Sequence, residues 1–223
     1  MAASTLAAAL RELLPGVDAH ALPASDEQVP AAVLVALLAD ASGALRVLLT
    51  RRRADLRRHA GEISFPGGRS DPADADLTET ALREAEEEVG LAREQVTLLG
   101  ALARTSTFAT NYAIHPFVGL LSDPDPLLPL PEPRWQPSER EVDSVLEPSL
   151  AALRAARGRT AITRRGFTFE TDAYLLGEDV VWGATARILD DLLARLEPMP
   201  GRYCGPVATG TPTRLPHSVQ EPS

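Results

Sequence analysis

Residues 31–38 form an unbroken apolar run rich in Val and Leu, the pattern of a strand buried on both faces. Asp40-Ala41-Ser42-Gly43 reads as a turn, and residues 45–50 as the antiparallel partner strand, so the domain opens on a hairpin. Residues 77–89 carry the clearest helical period, with Ala81, Leu82, Ala85 and Val89 on one stripe. Thr78 is the expected cap there, with Glu79 close behind, and Gly90 the left-handed terminator. Helical spacing also marks residues 1–15, through Leu6, Leu10, Leu13 and Leu14, and residues 149–156 and 181–196. Further strands are predicted at 96–103, 113–121 and 167–176. Six prolines between 124 and 137 require an extended loop. These signals give an α/β chain with an N-terminal helix and lead-in at 1–30, one domain at 31–197, and a Pro/Gly-rich tail at 198–223 expected to be disordered.

Composition narrows the function. A formal charge of -9 and only ten aromatic residues argue against a general nucleic-acid binder, which needs a cationic footprint or stacking platforms. No apolar run approaches the roughly 20 residues of a membrane span. The alanine-rich start is broken by Arg11, Glu12 and Pro15, which does not suit a secretory signal. The chain ends Gln-Glu-Pro-Ser, without a peroxisomal tripeptide, and the cytoplasm is the expected compartment. The single cysteine, Cys204, excludes an internal disulfide and a cysteine zinc site, and it has no nearby histidine to make it a nucleophile. All 22 basic residues are arginine, which we read as a compositional bias.

Chemistry concentrates in Arg83-Glu84-Ala85-Glu86-Glu87-Glu88-Val89-Gly90-Leu91. Helical spacing puts Glu84, Glu87 and Glu88 on one face and turns Glu86 away. Taken alone, such a run is usually a solvated acidic face. Here the helix has a well-formed apolar side, and Pro66-Gly67-Gly68 lies just upstream, where backbone amides can approach a phosphate. Gathered glutamates repel one another unless a cation neutralises them, and all-oxygen ligation suits Mg²⁺ or Mn²⁺ bridging to substrate phosphates.

These residues resemble the Nudix box, G-x5-E-x7-R-E-U-x-E-E-x-G-U, where U is a bulky aliphatic. Its second half fits residues 83–91, with Ala85 a smaller residue at the first U. Its first half fits Gly68 and Asp74 with one residue inserted between Asp74 and Arg83, which leaves the role of Asp74 open. Upstream, Leu48-Leu49-Thr50-Arg51-Arg52, then Arg57, Gly61 and Phe65-Pro66-Gly67-Gly68, is similar to the L-L-T-x-R … F-P-G-G signature of the coenzyme A pyrophosphatase branch. The two motifs adjoin over residues 48–91. Weaker similarity at 138–142 and 182–186 extends the likeness to about residue 196.

The resemblance implies a Nudix fold, a mixed β-sheet sandwiched between α-helices. It also implies Mg²⁺- or Mn²⁺-dependent hydrolysis of coenzyme A, and of its derivatives, to 3′,5′-ADP and 4′-phosphopantetheine. Glu84, Glu87 and Glu88 become the expected metal ligands, with Glu87, or Glu141 from outside the box, taking the proton of the attacking water. Arg83 is expected to orient the glutamates. Arg52, Arg57, Gly67 and Gly68 are the expected substrate contacts, Arg52 and Arg57 being drawn from the basic patch of Arg51, Arg52, Arg53, Arg57 and Arg58. The expected partner is a small molecule, neither nucleic acid nor membrane, and a homodimer is left open. His59, His115 and Trp182 are read as structural. Other readings are a Nudix hydrolase of ADP-ribose or another nucleotide derivative, a catalytically silent Nudix sensing module, and an acidic helix that holds no metal.

Overall fold

A computed structural model describes residues 2–16, 27–39, 43–56, 59–107, 111–121, 134–164 and 166–204. The first strand, β1 (Val29–Ala39), runs parallel to β8 (Tyr112–Leu121), in register from Val29↔Tyr112 to Leu37↔Leu120. On one face of β1, Ala32, Leu34, Ala36 and Leu38 pack with Ala81, Ala85 and Val89 of helix α2 (Leu77–Val89). On the other face, Val35 and Leu37 enter a larger core. That core also takes Leu6 and Leu10 of α1 (Ala2–Leu13) and Leu189 and Leu192 of α4 (Gly183–Arg195). Burial of both faces is why the run carries no polar alternation. The expected sandwich of a mixed sheet between helices is therefore present, and the N-terminal helix belongs to its core.

Three sheets make up the β structure of the described residues. The six-stranded sheet has the order β2-β1-β8-β6, with β5 also on β1 and β7 also on β8. Its remaining members are β2 (Leu45–Val47), β5 (Gly67–Arg69), β6 (Val96–Ala101) and β7 (Thr105–Ser106). The second is β4-β3-β9, from β3 (Leu49–Arg52), β4 (Ile63–Ser64) and β9 (Val142–Leu146). The third is β10-β11-β12, from β10 (Arg157–Arg164), β11 (Phe167–Leu176) and β12 (Asp179–Trp182). Helix α3 (Leu150–Ala156), capped by Ser149, leads into β10.

Several boundaries differ from the sequence expectation. The strand expected at 45–50 is two strands in two sheets. Strand β2 pairs with β1 only as far as Val47↔Leu37, because β5 occupies the same edge further along, at Val33↔Gly67. With that edge taken, β3 leaves for a sheet of its own. The helix expected at 181–196 begins at Gly183, since Val181 and Trp182 pair with Tyr174 and Ala173 as the end of β12. Trp182 is thus a strand residue, half-buried under the guanidinium of Arg164, 5.5 Å from its ring. The tail expected from 198 is folded at its start: Met199 is buried, and α5 (Gly201–Cys204) follows. Residues 205–223, most of the proline-rich loop, and the turn at 40–42 lie outside the described residues.

Candidate active site

Helix α2 sets the site, and its ends fix its rotation. Asp76, not Thr78, is the N-cap: its carboxylate accepts from the backbone N–H of Thr78 (2.8 Å) and Glu79 (2.9 Å). Thr78 lies inside the first turn and donates its hydroxyl to the same oxygen at 2.5 Å. At the other end Gly90 takes a left-handed conformation, φ 69°, and returns its N–H to Glu86 at 3.0 Å. Between these ends the small residues Ala81 and Ala85 lie flat on β1, and Glu84 and Glu88, three residues on from each, stand at the edge of that same buried stripe, where Glu84 meets Gly68 of β5 and Glu88 meets Thr50 and Arg52 of β3.

Strand β5 brings the glycines in. Gly67 and Gly68 pair antiparallel with Val33 and Ala32, and Leu34 donates its N–H to the Pro66 carbonyl at 2.9 Å. A Cβ on Gly68 would fall onto the Glu84 carboxyl group, and one on Gly67 would collide with the backbone of Ala32 and Val33. The two glycines are thus required by close approach: one lets the strand lie against β1, and the other makes room for a glutamate.

The carboxylates differ sharply. Glu88 is buried, 4% exposed, and burial pushes its carboxyl up to about 8, with Glu84 and Glu141 adding to the rise and Arg52 opposing it. Thr50 donates to its Oε2 at 3.5 Å, and Arg52 Nη1 lies 3.5 Å from its Oε1. Glu84 is also raised, chiefly by burial, although Arg83 Nη1 stands 3.0 Å from its Oε1. Glu87 sits at the rim with its side chain 60% exposed, 3.3 Å from Arg83. Glu141, just before β9, reaches the same site from the opposite wall: Arg52 Nη2 lies 3.4 Å from its Oε2. Arg52 therefore bridges a box glutamate and a glutamate some fifty residues away. Among the described residues no three histidine, cysteine or acidic side chains stand together closely enough to hold a metal ion as they lie. The arrangement is an open cluster of Glu84, Glu88 and Glu141 around two guanidinium groups.

Arg83 is anchored. Its Nε and Nη2 donate to Asp74 at 2.8 and 3.1 Å, and Nη2 also reaches the Arg69 carbonyl at 3.3 Å. The Asp74 side chain is 3% exposed, takes further bonds from Thr80 Oγ1 (2.7 Å) and Asp71 N–H (2.9 Å), and is held well below the usual carboxylate range, chiefly by Arg83. The role left open for Asp74 is thereby filled. The inserted residue falls between Asp74 and Arg83, the stretch in which Asp76 caps the start of α2.

The basic patch is not one surface. Arg51, of the opposite parity on β3, pairs with Asp179 and lies 3.9 Å from Asp143. Arg53 closes on Asp55 through two 2.9 Å bonds and on the Glu139 carbonyl. Only Arg52 among these three points at the carboxylates, and Arg57 and Arg58 lie outside the described residues. His59 bonds Glu62 at 2.6 Å, and His115 is buried in β8, in register with Ala32 of β1. Two residues to which the sequence assigned no role complete the site, Thr50 and Asp74. The first could have been found from the alternation on β3, which sets Thr50 beside Arg52.

A family model for the NUDIX domain matches residues 28–165. The chain is 37% identical over 175 residues to the uncharacterized Nudix hydrolase NudL of Photorhabdus laumondii, covering 78% of this chain and 88% of that protein. It is 35% identical over 176 residues to NudL of Pectobacterium atrosepticum, covering 78% and 86%. Among solved structures, the Nudix hydrolase RenU of M. smegmatis shares the fold with a TM-score of 0.52 at 15% identity, over 78% of this chain and 88% of that one. The Nudix hydrolase of Alicyclobacillus acidocaldarius does so with a TM-score of 0.50 at 19% identity, over 82% and 100%. No described helix is long and apolar enough to cross a membrane. With the box folded as a capped helix against a glycine strand, and with relatives of this identity along most of its length, the chain belongs to the Nudix hydrolase family.

Proposed function

We propose that this Nudix hydrolase cleaves the diphosphate bond of coenzyme A, giving 3′,5′-ADP and 4′-phosphopantetheine. One observation supports the narrower substrate: the segment resembling the coenzyme A signature builds the same site as the box. Thr50 and Arg52 of that segment touch Glu88, and Gly68 faces Glu84. A signature spent only on scaffold would have no reason to meet both glutamates.

The donor set fits a divalent cation. Glu84 and Glu88 are oxygen ligands one helical turn apart, both half-starved of water and repelling each other, and the space over Gly68 is kept free of a side chain. Glu84 and Glu88 would hold Mg²⁺ or Mn²⁺, with Glu87 at the rim completing the set. Such an ion supplies charge neutralisation of the diphosphate oxygens and acidification of a water. Arg83, locked to Asp74, holds Glu84 and Glu87 in orientation. Glu141 is the base we favour over Glu87, because it faces the box from the opposite wall and its carboxylate meets one guanidinium at 3.4 Å, whereas Arg83 lies 3.3 Å from both oxygens of Glu87. The 3′-phosphate and the diphosphate of the substrate call for cationic contacts, for which Arg52 and Arg57 are the proposed donors.

The test is product analysis by mass spectrometry on coenzyme A, ADP-ribose and a dinucleoside polyphosphate, each with Mg²⁺, Mn²⁺ or chelator. The expected result is metal-dependent release of 3′,5′-ADP from coenzyme A, lost in Glu84→Gln. Turnover of ADP-ribose with coenzyme A untouched would overturn the substrate and keep the chemistry.

A further inference from the structure

The two guanidinium groups of the site are held in different ways. Arg83 is fixed from behind by the buried Asp74 and by a backbone carbonyl, so it stays in place whatever happens to the glutamates. Arg52 has no such anchor among its described side-chain contacts. Its guanidinium touches Glu88 at 3.5 Å and Glu141 at 3.4 Å, both long for charge-assisted contacts, and its side chain is one-quarter exposed. Meanwhile the hydroxyl of Thr50, fully buried on the same face of β3, lies 3.5 Å from the other oxygen, Oε2, and 3.4 Å from the Ser64 carbonyl. Oε1 is therefore the oxygen shared out, and a mobile cation sits on it.

We infer that Arg52 is a displaceable counter-ion. It closes Glu88 onto Glu141 while no divalent ion is bound, and an ion taking Glu88 Oε1 releases it to meet the substrate's diphosphate. This rests on the assignment of Glu88 as a metal ligand made above. The physical reason is charge balance. A divalent ion at Glu88 repels a guanidinium on the same oxygen, while the bound diphosphate, brought to the mouth of the site, offers that guanidinium oxygens with better geometry. The long stem of Arg52 and its exposure let it swing. Glu88, 4% exposed and carried on a helix packed against β1, cannot follow.

Mn²⁺ binding without substrate, measured by calorimetry, is the first reading, on wild type, Arg52→Ala, Arg52→Lys and Glu84→Gln. The second is binding of inorganic pyrophosphate to the Mn²⁺-loaded proteins. Removing the competing charge should tighten Mn²⁺ by about three- to tenfold in Arg52→Ala, the scale of a partly exposed ion pair. The same variant should bind pyrophosphate about tenfold more weakly, a charge-assisted bond being lost. Arg52→Lys should restore part of the pyrophosphate binding, since it keeps the charge without the fork. Weaker Mn²⁺ in Arg52→Ala would make Arg52 a structural support and overturn the inference. Unchanged Mn²⁺ in Arg52→Ala, with Mn²⁺ lost in Glu84→Gln, would also overturn it while leaving the metal site standing. If none of the proteins, wild type included, bound Mn²⁺, both readings would fall together.

Discussion

Gly68→Ala separates the site from the scaffold better than removal of any carboxylate. The added Cβ would stand 2.5 Å from Glu84 Cδ and 2.7 Å from its Oε2, whereas ordinary contact begins at 3.4 Å. Gly68 cannot retreat, because its backbone is paired with Ala32 in the β5–β1 ladder and Gly67 beside it is pressed onto Val33. The Glu84 carboxyl must therefore move, by about 1 Å, and a misplacement of that size can cost about 10²-fold in rate. The fold should lose little, below about 1 kcal/mol, because the atoms in the way end a flexible side chain. Gly67→Ala is the opposite case. Its Cβ would come within 2.7 Å of Val33 Cα, in the central strand, where nothing can swing aside. An overpacking cost of about 1–3 kcal/mol is expected there.

The assay compares kcat/KM on the diphosphate substrate, Mn²⁺ affinity and the urea midpoint. Gly68→Ala should lose turnover with its midpoint nearly kept, and Gly67→Ala should lose the midpoint first. A Gly68→Ala protein within about threefold of wild-type kcat/KM, with unchanged Mn²⁺ affinity, would show that the Glu84 carboxyl is not used where it lies. A collapsed midpoint would show that the strand itself cannot accept the Cβ.

Three further outcomes follow from other parts of the helix. Asp74→Asn should destabilise by about 2–3 kcal/mol in urea unfolding, because it leaves Arg83 without its buried partner; Arg83's own exposure keeps the loss below that of a fully buried pair. Asp76→Ala should cost about 1 kcal/mol by the same measurement, from loss of the N-cap, with kcat nearly unchanged. Glu88 is raised from 4.5 to about 8, so between those values and without metal the folded protein holds a proton there that the unfolded chain has already lost, and the Arg52 counter-ion contact belongs to the ionised form above that range. Its contribution to stability is whole below 4.5 and disappears as pH rises through about 8. Divalent ions need the ionised form, so Mn²⁺ affinity should climb over that same interval with proton release in calorimetry, and Glu88→Gln should flatten the climb.

What could be read in the sequence was whatever one element decides alone. The apolar run of β1 and the limits of α2 depend on local pattern, and both are where the pattern put them. Glu84 and Glu88 share a face because a helix has a fixed period. What could not be read depends on competition between elements. The split of residues 45–50 turns on β5, seventeen or more residues downstream, occupying the same edge of β1. Asp74 looked displaced by one position because the box is counted along the chain, while in space Arg83 still reaches Asp74 across the longer stretch that Asp76 caps. Trp182 followed the apolar stripe of the next helix, and only its pairing with Ala173 makes it a strand residue.

The arginine run shows how one structural fact can change a chemical reading. Arg51, Arg52 and Arg53 look like one phosphate-binding surface, yet a strand sends neighbours to opposite faces. Once Leu49 is placed in the core, parity carries Arg51 to Asp179 on β12 and leaves Thr50 and Arg52 facing Glu88. Arg53 has left the strand and is held by Asp55. The basic stretch therefore reduces, among its first three members, to a single cation at the site. That cation is not free for a phosphate as the site stands, being shared between Glu88 and Glu141. A site that keeps its anion-binding arginine on its own carboxylates limits binding of bare diphosphate until something else neutralises those carboxylates. On the proposed role of Arg52, binding is ordered: cation first, substrate second. Initial-rate kinetics with metal and substrate varied independently should show that order, and a random order would argue that the Arg52 bridge is too weak to matter.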